Sequence, residues 1–308
     1  MGHDVMGHGT HVAGLPGALP PVLALLVYLH LVRRARRRNP VVGWSRWRTA
    51  SFATGVALSA VALLPPVAPF AHADFRGHMV QHLLIGMYAP IALVLGAPVT
   101  LLLRTLPARG ARRLSAVVHS RAGRLPTDPA TALLLSTGSL GVLYFTPLYN
   151  AVTALPAGHW LLHAHFLLSG CLFAHVIAGP DPAPARPGVR ARLVYLGCAI
   201  FVHAVVAQLM YGGFWVNVHA PIPEIRGGAE IMYYGGDIAE LLLAAALVST
   251  WRPERRSRPV AGRVRGPYQP ETRPARRRAT RGRPVGAGRR VPAGAGGRDG
   301  VRRGSPLA

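Results

Sequence analysis

The sequence contains no lysine; all 35 of its basic residues are arginine. That excludes Schiff-base chemistry on a lysine, and with it any retinal-binding seven-span receptor. Cysteine is almost as scarce. Cys171 and Cys198 stand singly in apolar segments, with no CxxC spacing, so neither a disulfide framework nor a thiolate metal loop is expected. Acidic residues number only 11, which leaves a formal net charge of +24. No internal repeat is visible, so an inverted-repeat transporter is not indicated. No basic region precedes the first apolar run, and no cleavable signal peptide is expected.

What is present is a segregated chain. Half of the residues are hydrophobic, and the mean hydropathy is +0.28 despite the charge. Seventeen of the 35 arginines lie beyond Trp251, in a Pro- and Gly-rich stretch without hydrophobic periodicity. The division predicts three parts: a His- and Met-containing N-terminus over 1–14, a membrane domain over 15–251, and a disordered Arg-rich tail over 252–308. The tail suits anionic inner-leaflet lipid. With almost no aromatics for base stacking, it predicts no specific nucleic-acid partner.

The membrane domain reads as all-α, a polytopic helical bundle of seven transmembrane helices. The apolar segments are Leu15–Val32, Thr49–Leu64, His78–Leu103, Pro129–Tyr149, His159–Ala178, Leu193–Tyr211 and Ala229–Thr250. Arginines alternate between the connections. Seven lie between Arg33 and Arg48, six between Arg104 and Arg124, and Arg186, Arg190 and Arg192 share a later connection. The intervening connections hold only Arg76 beside Asp74, none from Asn150 to Gly158, and Arg226 beside Glu224. By the positive-inside rule the N-terminus is outside and the C-terminus cytoplasmic, as expected for a multi-pass protein of the plasma membrane.

With that orientation the histidines gather on the outer side. His78 and His82 open the third segment at i and i+4, one turn apart on one face; His159 and His163 open the fifth in the same way. Two stacked imidazole pairs at one membrane face point to metal ligation, the competing reading being interfacial histidines bonded to headgroups or loops. Imidazole with thioether suits copper, and imidazole alone also suits zinc, nickel or iron. Met79, His203 and Met232 are further candidate ligands, although buried methionines commonly fill cores. In the last segment Tyr233, Asp237 and Glu240 share a face. His203 is placed to partner Glu240, so Asp237 and Glu240 read as supports for metal-bound histidines, as a proton site, or as a polar clamp between helices.

These residues carry a resemblance. The run Gly77–Arg104, GHMVQHLLIGMYAPIALVLGAPVTLLLR, resembles the third-span signature of the CtaG cytochrome c oxidase assembly family linked to caa-type oxidases (Bacillus and actinobacterial type). HWLLHAHFLLSGCLFAHVIAGPDPAP, from His159, resembles the second. A third region keeps Gly227, Gly228 and Met232 but departs at the family's acidic-Gln and Trp positions. The resemblance covers residues 15 to 251. It implies a non-enzymatic assembly factor that binds or delivers copper for a cytochrome c oxidase, with oxidase subunits as partners and a homo-oligomer possible in principle. The copper role it implies falls on His78, His82, His159 and His163. A bis-histidine haem protein, a copper transporter using the Asp237/Glu240 face, and a metal-free structural partner of the oxidase stay open.

Overall fold

A computed structural model describes residues 15–120, 123, 128–183 and 186–250. The predicted segments 1–14 and 252–308, together with Trp251, lie outside the described residues. Among the described residues there are only helices. They are α1 (Leu15–Arg38), α2 (Arg46–Leu63), α3 (Val67–Ala73), α4 (Phe75–Leu83), α5 (Ala89–Leu95), α6 (Pro98–Thr105) and α7 (Ala108–His119). After them come α8 (Pro129–Leu133), α9 (Ser139–Phe145), α10 (Leu148–Thr153), α11 (Gly158–Ala178), α12 (Val189–Gly212) and α13 (Ile222–Thr250). A π-helical turn, Leu84–Tyr88, joins α4 to α5, and a second, Leu134–Gly138, joins α8 to α9.

Four stretches are long and apolar enough to cross a membrane: Phe75–Thr105, Gly158–Ala178, Val189–Gly212 and Ile222–Thr250. The pair α2 and α3 makes a fifth if the 47° bend between them is one broken span. That bend falls at Pro65-Pro66, where the missing amide donors stop α2. Pro129–Phe145 is apolar but shorter. Among the described residues, four helices meet this length and hydropathy requirement, or five with the bent pair, where the sequence predicts seven spans.

The bundle is assembled around α4. It packs along α13, while the π-helical turn after it and α5 pack on α2 and α11. Two acids from different parts of the chain hold its start. Asp74 accepts from the Arg76 amide at 2.7 Å, and Glu224 Oε2 accepts from the Phe75 amide at 3.1 Å. Both satisfy amides that a helix N-terminus leaves unpaired. The Arg76 guanidinium also hydrogen-bonds Asp74 and holds its carboxyl below the usual carboxylate range. A hydrophobic cluster fills the bundle below this end, built on Phe75, Met79, Tyr144, Leu162, Met210 and Met232. A second, around Phe173, Ile177, Leu196 and Leu247, fills the opposite end.

That opposite end is closed by polar contacts to main chain. Asp181 follows α11 and is 2% exposed. It reaches back 82 positions to the start of α6, accepting from the amides of Val99 (3.0 Å) and Thr100 (2.7 Å) and from the Thr100 hydroxyl (2.5 Å). Arg186 donates to the carbonyls of His175 and Asp181, and Arg192 to that of Ile177. α1 docks through Tyr28, which stacks on Phe52, donates to the Gly96 carbonyl at 2.8 Å and accepts from Trp44 Nε1 at 3.1 Å. Arg48 and Arg104 both lie over the Trp44 ring, within 5.5 Å of its centre.

Candidate functional site

The two predicted histidine pairs do start neighbouring helices at one end of the bundle, on α4 and α11. Their four rings take separate partners. His159, at the rim, meets His72 of α3 edge to face at 4.3 Å, and lies 6.4 Å from His163. His163 Nε2 is 2.8 Å from Gln81 Oε1; since the amide oxygen only accepts, the imidazole donates. Gln81 is itself 1% exposed and donates to the Ala62 carbonyl at 2.8 Å. A hydrogen-bonded relay thus links α11, α4 and α2. His78 is 3% exposed, with Nε2 3.1 Å from the Tyr144 hydroxyl and its ring against Tyr149. Burial of that phenol demands such a partner.

His82, one turn deeper, faces away from the rim. It is 4% exposed, packs edge-on against Phe166 at 4.4 Å, and lies 6.5 Å from the ring of His203 on α12. His203 Nδ1 is in turn 3.8 Å from Glu240 Oε1 on α13, both side chains being buried. The expected partnership of His203 with Glu240 is therefore present, and His82 joins it. These three line an internal cavity that admits a water-sized sphere through about 40 Å³. Its wall also includes Gly86 and Met87 from the first π-helical turn, and Ser136 and Thr137 from the second. Asp237, one turn before Glu240, does not line it. π-Helical turns insert one residue into a helix and rotate the register that follows, and they recur at functional sites.

The candidate methionines sit elsewhere. Met79 and Met232 are fully buried in the apolar cluster with Phe75, and so is Met210. The polar neighbours of these histidines that spacing did not reveal are His72, Gln81 and Tyr144. His72 carried a signal as a histidine of an outer connection, and Gln81 as a polar residue inside a largely apolar run. Among the described residues no three His, Cys, Asp or Glu side chains form a cluster able to hold a metal ion.

The two signature segments are thus in contact, the Gly77–Arg104 run through His82 and Gln81 and the His159 run through His163 and Phe166. A family model described as cytochrome c oxidase caa3 assembly factor (Caa3_CtaG) matches residues 26–254. The chain belongs to the cytochrome c oxidase caa3 assembly factor family. Uncharacterized proteins of Mycobacterium tuberculosis and Mycobacterium bovis are each 31% identical over 268 residues, covering 81% of this chain and 40% of theirs. One of Mycobacterium leprae is 30% identical over 256 residues, 77% of this chain and 38% of its own. This caa3 assembly-factor chain therefore spans about 40% of the length of the curated relatives it matches. No solved structure matches it.

Proposed function

We propose that this chain is a non-catalytic, seven-span assembly factor of the plasma membrane that receives copper at its histidine-rich end for a cytochrome c oxidase. Copper is cargo in this reading, and oxidase subunits are the recipients. The observation that carries it is the gathering of His72, His78, His159 and His163 at one end of the bundle, from α3, α4 and α11. His72 and His159 are close enough, at 4.3 Å between ring centres, to share an ion after small rotations of the exposed His72 and the half-buried His159. The chemistry agrees, because imidazoles without carboxylates suit copper or zinc and not the hard cations. Family membership favours copper.

Purified protein loaded with Cu(I) should lose at least one equivalent when His159→Ala and His163→Ala are combined. Unchanged stoichiometry in that double variant ends the reading. The arginine pattern supports an extracytoplasmic placement of the same end, since arginines crowd the connections at the other end. A cysteine at His219 should then react with an impermeant maleimide in intact cells, and one at Arg112 should not; both native side chains are exposed. The reverse pattern inverts the topology. The Arg-rich tail lies on anionic inner-leaflet lipid in this scheme.

A bis-histidine haem gains no support from the geometry. His82 and His203 are spaced for one shared ion, but a cavity of about 40 Å³ has no room for a porphyrin between them.

A further inference from the structure

We propose that His82 and His203 hold a second copper ion, as Cu(I), inside the bundle, with Glu240 supplying its countercharge. The metal identity rests on the copper reading above; the site itself rests on what the interior contains.

The first observation is unmet polarity. His82 is 4% exposed, His203 3% and Glu240 5%. Both ring nitrogens of His82, Nε2 of His203 and Oε2 of Glu240 have no hydrogen-bond partner. Among the described residues these are four of the seven buried side-chain atoms in that condition. Folded proteins seldom leave such atoms unpaired, and a group of them around one cavity calls for a water or an ion there. About 40 Å³ of the cavity is open to a water-sized sphere, enough for a water or an ion.

The second observation is distance. An ion bonded to one nitrogen of each of two imidazoles at about 2 Å sets the ring centres about 6 Å apart. The observed separation is 6.5 Å, between α4 and α12. Glu240 Oε1 lies 3.8 Å from His203 Nδ1, in ion-pair reach though beyond hydrogen-bond distance, and Nε2 is left for the ion. Gly236 leaves room for this ring: a methyl there would stand 2.1 Å from His203 Cε1.

The third is charge. Two neutral imidazoles and one carboxylate balance a monovalent ion. A divalent ion would leave one uncompensated charge in an apolar interior walled by Leu140, Phe166, Phe173 and Leu243, which is strongly unfavourable. Hard monovalent ions prefer oxygen donors to imidazole. Cu(I), satisfied by two ligands, fits a pair of imidazoles where no trio of donors exists.

The test is the stoichiometry and affinity of Cu(I) on the purified full chain under reducing conditions. Wild type should bind two equivalents. The His159→Ala/His163→Ala variant should keep one, and His82→Ala or His203→Ala should each lose the other. Glu240→Gln should keep the stoichiometry but bind the inner ion at least tenfold more weakly. If His82→Ala and His203→Ala bind as wild type while the rim variant loses its copper, the inner site is overturned and the rim reading stands. If wild type binds none, both fall. If the inner variants do not fold, X-ray absorption of the copper left in the rim variant decides. Two imidazole nitrogens, with or without sulfur from Met87 of the cavity wall, support the site; oxygen alone overturns it.

Discussion

Gly170→Ala is expected to lower the thermal midpoint of the detergent-solubilised protein by several degrees. A methyl at Gly170 would stand 2.0 Å from the Gly86 carbonyl oxygen and 2.8 Å from Pro90 Cγ. α11 meets the first π-helical turn there, and small residues let the two backbones approach. Two effects oppose each other. Alanine in place of glycine favours a helix by about 1 kcal/mol. Forcing a methyl into a packed interface costs about 1–3 kcal/mol, toward the upper end when the obstacle is main chain that cannot rotate away. The second wins. The same change at Gly197, where an added methyl meets nothing within 4 Å, is the control and should leave the midpoint unchanged or higher. Equal effects at both positions would show that the close approach of α11 to the first π-helical turn is not needed. Because Gly86 lies beside His82 in the cavity wall, Gly170→Ala should also weaken binding at the inner site before it unfolds the protein.

Asp181→Ala is expected to destabilise by about 2–4 kcal/mol, the sum of two helix amides left without a partner at about 1–3 kcal/mol each, less relaxation toward water. The carboxylate accepts three hydrogen bonds from the first turn of α6 and is 2% exposed, so no solvent replaces it directly. Ala97, which precedes that turn, has a left-handed backbone at φ 53° and no side chain to cap it. Capping therefore comes from a residue 82 positions beyond Val99. Asp181→Asn keeps one carbonyl acceptor and should retain roughly half of the stability difference. Unfolding midpoints of the two variants in the same detergent check the order; equal midpoints would mean that α6 holds its start without Asp181.

Much of this was legible in the residues. Apolar run length located Phe75–Thr105, Gly158–Ala178, Val189–Gly212 and Ile222–Thr250, because a helix that crosses lipid must be apolar over about 20 residues. The i, i+4 spacing placed His78 with His82 and His159 with His163 on shared faces, and both pairs do begin helices at the same end. The contact between His203 and Glu240 also followed from sequence, since a buried carboxylate needs a partner at similar depth.

The separation of the four imidazoles did not follow. Spacing defines which residues share a face of one helix, but not which neighbour that face meets. His78 and His82 diverge because Tyr144 stands opposite the first and His203 opposite the second, contacts across 66 and 121 positions. The two π-helical turns have no signature in their residues, LIGMY and LLSTG, yet both bring wall residues to the inner cavity. Composition and pattern alone determined that this chain is helical, apolar and rich in histidine at one end, because those properties depend on periods within single segments. Only the packed bundle decided that His82 leaves the rim pairs for His203 and Glu240, because that pairing depends on how α4, α12 and α13 are rotated against one another.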